Sequence, residues 1–437
     1  MKMRAALLAF TFLAGAASAG PVLMISLDGL RPADVIEAQK KGLKLPNLSQ
    51  FVKQGAYATG VKNVLPTVTY PDHATLVTGV WPDKHGIGNN EVFDPTGKNL
   101  QGWYWYAEDI KVPTLWDAVH AANGVVASVG WPVSVGSPAI DENLPEYWRA
   151  WNEGDLKLLR ALATPGLVTR LETETKTPIV AAFSEEPSAD AAKTAYAAKI
   201  IADFKPRFMT VHLTSLDHYQ HEYGPDTDKS KAALEALDTD VGLLVAAAKA
   251  ASPDVAIAVV SDHGFAAVHD AVYLNQALAE AGLIHLDDQG KLKDYDAYAW
   301  NAGGSAAIVL KNPDDAAVKA KVEAVLTKLA ADPKSGVARY IAKPEIAARG
   351  GSDKASYWVD FKIGRSGSGS FTISKTFTLK GTHGYFPDNK EMRATFMIVG
   401  PGIKAKKLGE IDMRDIAPTL AKILDVKLEK ADGKPLF

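Results

Sequence analysis

Three aspartates follow short apolar runs of this chain, and together they predict a cation-binding site. They are Asp28 after PVLMISL (21–27), Asp217 after FMTVHLTSL (208–216) and Asp262 after VAIAVVS (255–261). If these runs are strands of an open α/β sheet, the three carboxylates meet in the crevice beyond the carboxyl ends of the strands. Carboxylates without a counterion repel one another, and removal from water increases the repulsion. Lysine and arginine are scarce at these positions, so the cluster needs bound cations.

Two histidines beside these aspartates favour a metal ion as the source of positive charge. His221 follows Asp217 by four residues, which places both side chains on one face of a helix that begins there. His263 follows Asp262 directly, and Gly264 allows the tight turn on which adjacent ligands reach one ion. Aspartate with neutral histidine suits a borderline ion such as Zn²⁺. An aspartate at a strand end is often only a helix N-cap, so the prediction depends on the joint occurrence.

The stretch VLPTVTYPDHATLVTG (64–79) contains a candidate nucleophile, Thr69, just before a predicted short helix. Pro71 suits the first turn of that helix, Asp72 brings a negative charge to its positive end, and Gly79 suits its C-terminal cap. A threonine in this position is most often a cap that satisfies free N–H groups. Taken alone, the stretch therefore favours a cap over an enzyme nucleophile.

The chain resembles the nucleotide pyrophosphatase/phosphodiesterase family of the alkaline phosphatase superfamily in six blocks of sequence. The blocks are MISLDGLRP (24–32), PTVTYPDHATLVTGVWPDKHGIGNN (66–90), LDHYQHEYGP (216–225), SDHGF (261–265), GTHGYFPD (381–388) and IDMRDIAPTLAKIL (411–424). They run in the family's order from near Gly20 to the C-terminus, and the match is poor only over about 266–380 and about 132–175. The resemblance implies an alkaline-phosphatase-like fold and a metal-dependent hydrolase of phosphoric esters.

The resemblance also implies a site that holds two Zn²⁺ ions per chain. Asp28, Thr69, Asp262 and His263 would hold one ion, and Asp217, His221 and His383 would hold the other. Thr69 would be the nucleophile that forms a phospho-threonine intermediate, and Asn90 would donate a hydrogen bond to a phosphoryl oxygen. The family's nucleotide-cleaving members stack the base of the substrate between two aromatic residues. Tyr70 occupies the first of these positions, which implies contact with substrate, but His212 occupies the second.

The charges expected at such a site nearly cancel, which bears on the substrate. Two Zn²⁺ ions oppose three aspartates and a Thr69 alkoxide, and the motifs place only the neutral Asn90 beside the nucleophile. A balanced site offers less to a dianionic monoester than to a monoanionic diester, unless a basic residue such as Arg149 or Lys84 joins it. We therefore expect hydrolysis of phosphodiester or phosphoanhydride bonds in a small molecule, with nucleotides and lipid-like diesters both open as substrates.

Two alternatives use the same residues. The first is an alkaline-phosphatase-type phosphomonoesterase or a phosphonate hydrolase on the same site. The second is a metal-stabilised binding protein with vestigial activity, although a structural metal site needs neither Thr69 nor Asn90. The rates on a chromogenic diester and on a monoester with the same leaving group separate the first alternative from a phosphodiesterase.

Short apolar runs that alternate with helical patterns must position these residues. The pattern predicts an α/β fold with a mostly parallel central sheet and helices on both faces. The predicted strands are 21–27, 125–131, 178–183, 208–216, 255–261 and 395–400, and the predicted helices include 188–204 and 229–251. The central sheet belongs to a core of residues 20–265 and 381–437.

Residues 266–380 differ in pattern and predict an inserted α+β subdomain. They hold an alanine- and lysine-rich helical stretch, DDAAVKAKVEAVLTKLAAD, and a glycine-rich run, GRSGSGS (364–370). The alternating stretch FTISKTFTL (371–379) predicts one arm of a β-hairpin.

Length, charge and the N-terminus limit where this protein works and what it binds. The chain has 437 residues, no cysteine and a formal net charge of −3, so disulfides and thiolate ligands are excluded and nucleic acid is not an expected partner. Residues 1–19 combine a basic start, an apolar run and the small-x-small pattern Ala17-Ser18-Ala19, which predicts a signal peptide and export to the periplasm or medium. No later segment predicts a membrane span. The sequence predicts no oligomeric state.

Overall fold

The computed structural model of the chain describes residues 20–99, 102–374 and 376–437, so the predicted signal peptide (1–19) lies outside the described residues. The strands are β1 (Val22–Leu27), β2 (Ala56–Tyr57), β3 (Gly60–Lys62), β4 (Val126–Val129), β5 (Glu142–Leu144), β6 (Phe208–Leu213), β7 (Ala256–Val260), β8 (Ala266–Ala267), β9 (Asp270–Val272), β10 (Ile284–Leu286), β11 (Leu292–Tyr295), β12 (Ala297–Ala302), β13 (Ser305–Leu310), β14 (Val337–Ala342), β15 (Tyr357–Phe361), β16 (Arg365–Gly367), β17 (Gly381–Thr382), β18 (Phe396–Val399), β19 (Lys406–Lys407) and β20 (Glu410–Asp412). The helices are α1 (Pro32–Ile36), α2 (Leu48–Gln54), α3 (Thr69–Thr78), α4 (Pro82–His85), α5 (Leu115–Ala121), α6 (Glu153–Leu162), α7 (Leu167–Thr175), α8 (Pro187–Phe204), α9 (Ser215–Tyr223), α10 (Asp228–Ala251), α11 (Leu274–Glu280), α12 (Ala316–Ala331), α13 (Lys343–Ala348) and α14 (Ile416–Leu424).

A central sheet of eight strands carries the site, in the order β19-β2-β18-β7-β1-β6-β4-β5. Strands β7, β1, β6, β4 and β5 are parallel neighbours, and β18 runs antiparallel to both β7 and β2. The sheet is therefore mostly parallel, as predicted. Leu27 of β1 pairs with Leu213 of β6, and Ser26 pairs with Val260 of β7, so these three strands end at the same edge.

Strand β1 shows why helices cover both faces of this sheet. All six of its residues are buried, as expected for a strand in the middle of a parallel sheet. Leu23, Ile25 and Leu27 face a core built with α8 and α10, whereas Val22 and Met24 face a second core built with α3 and α14. The alternation of side chains along the strand thus supplies apolar surface to both layers.

Residues 178–183, predicted as a strand, instead contain a 3₁₀ helix at Ile179–Ala182, and that prediction was wrong. Ile179 is buried, but Val180 is 57% exposed, so the segment buries only part of its apolar surface. It packs against α8, and Ile179 and Phe183 line a cavity beside the site. The run is therefore apolar because it forms a cavity wall rather than a strand.

The predicted hairpin arm at 371–379 is also absent, since its described residues form no strand. Ser370 Oγ accepts a hydrogen bond from Thr372 N at 3.1 Å, and Ser374 Oγ accepts one from Thr376 N at 3.2 Å. These local serine turns compete with strand pairing for the backbone N–H groups. Alternation of apolar and hydroxyl residues was thus misleading here.

A second sheet lies within residues 266–380, and its four antiparallel strands follow the order β12-β13-β15-β14. Its core joins strand residues such as Ile308 and Val359 to Val322 and Leu326 of α12, which is the predicted lysine-rich helix. The first strand, β12, lies beside the site, because Asn89 Nδ2 donates to its Asn301 carbonyl oxygen at 2.9 Å. None of the described helices is long and apolar enough to cross a membrane.

Candidate active site

Three adjacent strands bring the predicted aspartates together. Asp28 directly follows β1, Asp262 follows β7 after one residue, and Asp217 lies in the first turn of α9 beyond β6. Gly29 forms the turn after Asp28 with a φ of 69°, and its N–H donates to Asp262 Oδ1 at 3.1 Å. A side chain at Gly29 would meet the amide of Gln220 at 2.9 Å, so glycine is required there.

The four residues predicted to hold one ion form a tight group around His263. Its Nε2 atom lies 3.2 Å from Asp262 Oδ2, 3.4 Å from Asp28 Oδ1 and 3.4 Å from Thr69 Oγ1. The side chains of all four residues are buried. One atom of each of the other three residues therefore lies within 3.4 Å of His263 Nε2, and their role as ligands of one ion stays a prediction.

The residues predicted to hold the other ion form a second group beside the first. His221 Nε2 lies 3.4 Å from Asp217 Oδ2, and His383 Nε2 lies 3.7 Å from Asp217 Oδ1. The rings of His263 and His383 stack with centroids 3.6 Å apart. The two groups are therefore contiguous, and ligand atoms of Asp28, Asp217 and His263 also lie within 4.8 Å of one another.

Each aspartate of the site has a buried carboxylate oxygen without a hydrogen-bond partner among the described residues. These atoms are Asp28 Oδ1, Asp217 Oδ1 and Asp262 Oδ2. Burial, with repulsion from the neighbouring carboxylates, raises the pKa of Asp28 and of Asp217 well above the ordinary value, and burial raises the pKa of Asp262. An unpaired buried carboxylate is costly, so the arrangement fits a site for cations.

The three histidines present the ring nitrogen that a metal requires. In each histidine, Nδ1 lies close to a backbone carbonyl oxygen. The distances are 3.1 Å from His263 to Gly264, 2.9 Å from His221 to Gly381 and 3.1 Å from His383 to Thr67. A carbonyl oxygen only accepts, so Nδ1 carries the proton and Nε2 keeps its lone pair. Burial lowers the pKa of His263 and His221, and lowers that of His383 to about 3, which keeps the rings neutral. Neutral imidazoles with carboxylates form a donor set that suits Zn²⁺.

Thr69 is the first residue of α3 and is not its N-cap. Val68 occupies the cap position, and no side chain caps the helix. The hydroxyl of Thr69 instead points to His263 Nε2, whereas its carbonyl oxygen is bonded to His73 Nδ1 at 2.8 Å. Gly79 ends the helix with a φ of 70°, as predicted. The helix therefore places a hydroxyl, and its own positive end, beside the cluster of aspartates and histidines.

Asn90 is held beside Thr69 by the backbone of α3. Its Oδ1 accepts a hydrogen bond from Tyr70 N at 2.8 Å, and among the described residues no hydrogen bond engages its Nδ2. Tyr70 is fully buried, its hydroxyl donates to Glu146 Oε1 at 2.7 Å, and its ring meets Trp103 edge-on. A role for Tyr70 in substrate binding stays a prediction.

Glu146 and His212 join the site, and no role was predicted for either. His212 Nε2 lies 3.1 Å from Asp28 Oδ2, and His212 Nδ1 lies 3.1 Å from Glu146 Oε2. This hydrogen-bonded chain orients Asp28, in the way that outer-layer partners orient metal ligands. Glu146 follows β5, so the rule that identified the aspartates would have found it had that three-residue strand been predicted.

Two cavities meet at these residues. The aromatic cavity, of 280 Å³, contacts Thr69 and is walled by Trp103, Trp148, Trp151 and Phe183. The amide cavity, of 460 Å³, is lined by Asn89, Asn90, Trp300 and Asn301. His221 and His383 contact both cavities.

The described lysines near the site are paired with carboxylates. Lys193 borders the aromatic cavity, and its Nζ lies 3.1 Å from Asp190 Oδ1 and 3.1 Å from Thr214 Oγ1. Lys84, considered above as a source of charge, lies 2.5 Å from Asp432 Oδ1 at the surface. Neither lysine therefore supplies an unpaired positive charge beside Thr69.

The sequence of the chain is similar to those of known proteins. Residues 22–386 match the family described as type I phosphodiesterase/nucleotide pyrophosphatase. The chain is 24% identical over 402 residues to a venom phosphodiesterase of Naja atra, covering 88% of this chain and 42% of that protein. It is also 24% identical over 427 residues to an uncharacterized pyrophosphatase/phosphodiesterase of Schizosaccharomyces pombe, covering 94% of this chain and 78% of that protein. The chain thus spans less than half the length of the venom protein.

The fold agrees with a solved structure as well. Human ectonucleotide pyrophosphatase/phosphodiesterase 5 matches with a TM-score of 0.67 at 19% identity, covering 95% of this chain and 97% of that one. At this identity the likeness establishes the fold, which is alkaline-phosphatase-like as predicted.

Proposed function

The chain belongs to the type I phosphodiesterase/nucleotide pyrophosphatase family, and from this premise we propose that it is a two-zinc phosphodiesterase with Thr69 as nucleophile. One observation carries the proposal. Asp28, Asp217 and Asp262 each have a buried oxygen without a hydrogen-bond partner among the described residues, and they lie beside the Nε2 atoms of three histidines. The Thr69 hydroxyl lies 3.4 Å from one of these nitrogens, His263 Nε2. A purely structural metal site needs no hydroxyl at its centre, whereas nucleophilic displacement at phosphorus does.

Thr69 attacks the phosphorus atom of the bound diester. Its Oγ gives its proton to water and forms a bond to phosphorus, while the bond from phosphorus to the departing oxygen breaks and that oxygen takes a proton from water to leave as the alcohol. The Asn90 amide donates to a non-bridging oxygen, and the N-terminus of α3 stabilises negative charge on Oγ. Water then hydrolyses the phospho-threonine and regenerates Thr69. The two bound Zn²⁺ ions would supply the Lewis acidity that activates the hydroxyl and stabilises the leaving oxygen.

The charges around the site favour a diester over a monoester. The two ions balance three aspartates and the Thr69 alkoxide, and the lysine beside the aromatic cavity, Lys193, is paired with Asp190. Among the described residues that line the aromatic cavity there is no other lysine or arginine, so a second negative charge on the phosphoryl group would meet no unpaired cation there. This supports phosphodiesterase activity over the phosphomonoesterase and phosphonate hydrolase alternatives.

The remaining predictions complete the proposal. Residues 1–19 would direct export, since they combine the three features of a signal peptide. The core of 20–265 and 381–437 would carry the metal residues, and 266–380 would be an inserted subdomain. The substrate would be a small molecule that enters the aromatic cavity with one arm.

A comparison of two chromogenic substrates tests the proposed function. The wild-type protein loaded with zinc should cleave bis-p-nitrophenyl phosphate with a higher kcat/KM than p-nitrophenyl phosphate. Both release the same phenol, so the ratio reports the charge on the transferred group. A faster reaction on the monoester would mean that an unrecognised cation serves the site, and the monoesterase function would replace the proposed one.

A further inference from the structure

Glu146 contacts two side chains that belong to different parts of the site. Its Oε1 accepts a hydrogen bond from the Tyr70 hydroxyl at 2.7 Å, and its Oε2 lies 3.1 Å from His212 Nδ1. The side chain of Glu146 is 13% exposed and borders the aromatic cavity. One largely buried carboxylate therefore joins a residue of α3 to a residue of β6.

The contact with Tyr70 leads to the proposed nucleophile. Tyr70 directly follows Thr69 in the first turn of α3, and its backbone N–H donates to Asn90 Oδ1 at 2.8 Å. The Tyr70 side chain is fully buried, and its ring meets that of Trp103 edge-on. Because the ring is packed and the hydroxyl is bonded to Glu146, this contact restrains both the start of α3 and the amide of Asn90.

The contact with His212 leads to a predicted metal ligand, Asp28. His212 is 1% exposed, and its Nε2 lies 3.1 Å from Asp28 Oδ2. Its Nδ1 faces the carboxylate of Glu146 and the carbonyl oxygen of Gly130, each at 3.1 Å, so Nδ1 carries a proton. The bond from His212 engages Oδ2 of Asp28, whereas Oδ1 has no partner among the described residues and lies 3.4 Å from His263 Nε2.

A carboxylate beside a nucleophile can also serve as a general base. Both oxygens of Glu146 instead accept hydrogen bonds from side chains that are almost fully buried. The hydroxyl of Thr69 lies 3.4 Å from His263 Nε2, and no hydrogen bond among the described residues joins it to Glu146. The contacts therefore support a role in positioning other groups rather than in proton transfer.

We propose that Glu146 is a positioning residue that fixes the nucleophile relative to one metal ligand, through Tyr70 on one side and His212 on the other. The proposal rests on the proposed function, since it needs Thr69 as nucleophile and Asp28 as a ligand of zinc. Attack at phosphorus is sensitive to misplacement by about 1 Å, and residues that orient metal ligands also set the affinity for the metal. Loss of Glu146 should therefore change both the rate and the binding of zinc.

Glu146→Gln tests this assignment, because glutamine keeps the shape of the side chain but accepts hydrogen bonds at only one of its two ends. At saturating zinc, kcat on bis-p-nitrophenyl phosphate should fall about 10–100-fold, with KM within about threefold of wild type. The dissociation constant of one zinc ion, measured by competition with a chromogenic chelator, should rise about tenfold. A merely structural loss would lower the Tm without weakening zinc.

Two further variants separate the two contacts. Tyr70→Phe keeps the ring and removes only the hydroxyl, so kcat should fall about tenfold while zinc affinity is unchanged. His212→Asn removes the bond to Asp28 and should weaken the binding of one zinc ion about tenfold. In the Tyr70→Phe background, Glu146→Gln should lower kcat by a smaller factor than in wild type, because one of its two contacts is already lost.

Glu323→Gln is the matched control. Glu323 Oε1 also accepts from a tyrosine hydroxyl, that of Tyr357 at 2.8 Å, but this pair joins α12 to β15 of the second sheet. Glu323→Gln should leave kcat and zinc affinity unchanged. If Glu146→Gln behaves in the same way, Glu146 does not position the site, and the proposed function still stands.

The remaining outcomes also decide the matter. If Glu146→Gln does not fold, wild-type kcat in Tyr70→Phe together with wild-type zinc affinity in His212→Asn would overturn the inference. A zinc-loaded wild type that cleaves no phosphodiester would overturn the proposed function itself, and the inference with it.

Discussion

Asp190 and the aspartates of the candidate site form two acidic regions within a few residues of each other. The two regions differ in whether hydrogen bonds engage their carboxylate oxygens. Asp190, on α8, is fully buried, and its carboxylate accepts from Ser215 N at 2.7 Å, from Thr214 N at 3.1 Å and from Lys193 Nζ at 3.1 Å. The aspartates of the site, represented by Asp28, also have buried carboxylate oxygens, but these oxygens have no hydrogen-bond partner among the described residues.

The same contrast separates other pairs of like residues at the site. Thr67 Oγ1 donates to the Tyr385 carbonyl oxygen at 2.8 Å, whereas Thr69 has no backbone partner for its hydroxyl among the described residues. Both ends of the Asn89 amide form hydrogen bonds, whereas among the described residues only the oxygen of the Asn90 amide does. We expect the partnered groups to stabilise the fold and the unpartnered groups of the site to bind metal and substrate. The predictions below test this division.

The largest effect should come from the two threonines. Thr69→Ala removes the proposed nucleophile, so kcat should fall by about 10⁴ or more while the fold remains. Thr69→Ser keeps a hydroxyl and should keep much of the activity. Thr67→Ala should change kcat little and lower the free energy of unfolding by about 1 kcal/mol, because one buried hydrogen bond is lost. Steady-state kinetics measures kcat, and urea denaturation measures the free energy of unfolding. A larger loss of kcat in Thr67→Ala than in Thr69→Ala would show that Thr69 is not the nucleophile.

The next effect should come from Asn90. Asn90→Ala removes a donor that strengthens only as charge develops on the phosphoryl oxygen, so kcat should fall about 10²–10³-fold on a chromogenic diester. Asn90→Asp retains the acceptor for Tyr70 N but not the donor, and should be at least as damaging. Activity within threefold of wild type in Asn90→Ala would show that its amide does not contact the transferred group.

The smallest effect should come from Asp240, a neighbour of Asp190. Burial, with repulsion from Asp190, raises the pKa of Asp240 to about 7. The folded protein therefore binds a proton there that the unfolded chain, with a pKa of about 3.9, has released, so stability falls as pH rises from about 4 to about 7. Asp240→Asn should stabilise the protein by about 1–2 kcal/mol at pH 8 and hardly at pH 4. Urea unfolding at both pH values measures this, and an equal effect at both would refute it.

The clustering of the aspartates was predictable because the rule that finds them is local. A polar residue after an apolar run in a parallel sheet lies at the ligand-binding edge, and Asp28 and Asp262 obey that rule after strands of six and five residues, respectively. Glu146 obeys it after a three-residue strand that has no periodicity to detect. Residues 178–183 were misassigned because a cavity wall and a buried strand are equally apolar.

The pairing between distant segments could not be predicted in the same way. The contact of His212 with both Asp28 and Glu146 joins three strands, and no spacing along the chain signals it. The amide cavity likewise needs β12 to lie against the segment 89–95, a contact more than 200 residues apart in sequence. Such contacts depend on how the second sheet docks on the core, which no local pattern encodes.

Metal content tests the central claim most directly. The claim is that the unpartnered carboxylate oxygens and imidazole Nε2 atoms of the site hold two zinc ions. Elemental analysis of the purified protein should find about two zinc ions per chain, and Asp217→Asn should reduce this to about one. Chelation with EDTA should abolish activity and lower the Tm, and added zinc should restore both. Full activity in exhaustively chelated protein that contains no metal would contradict the account.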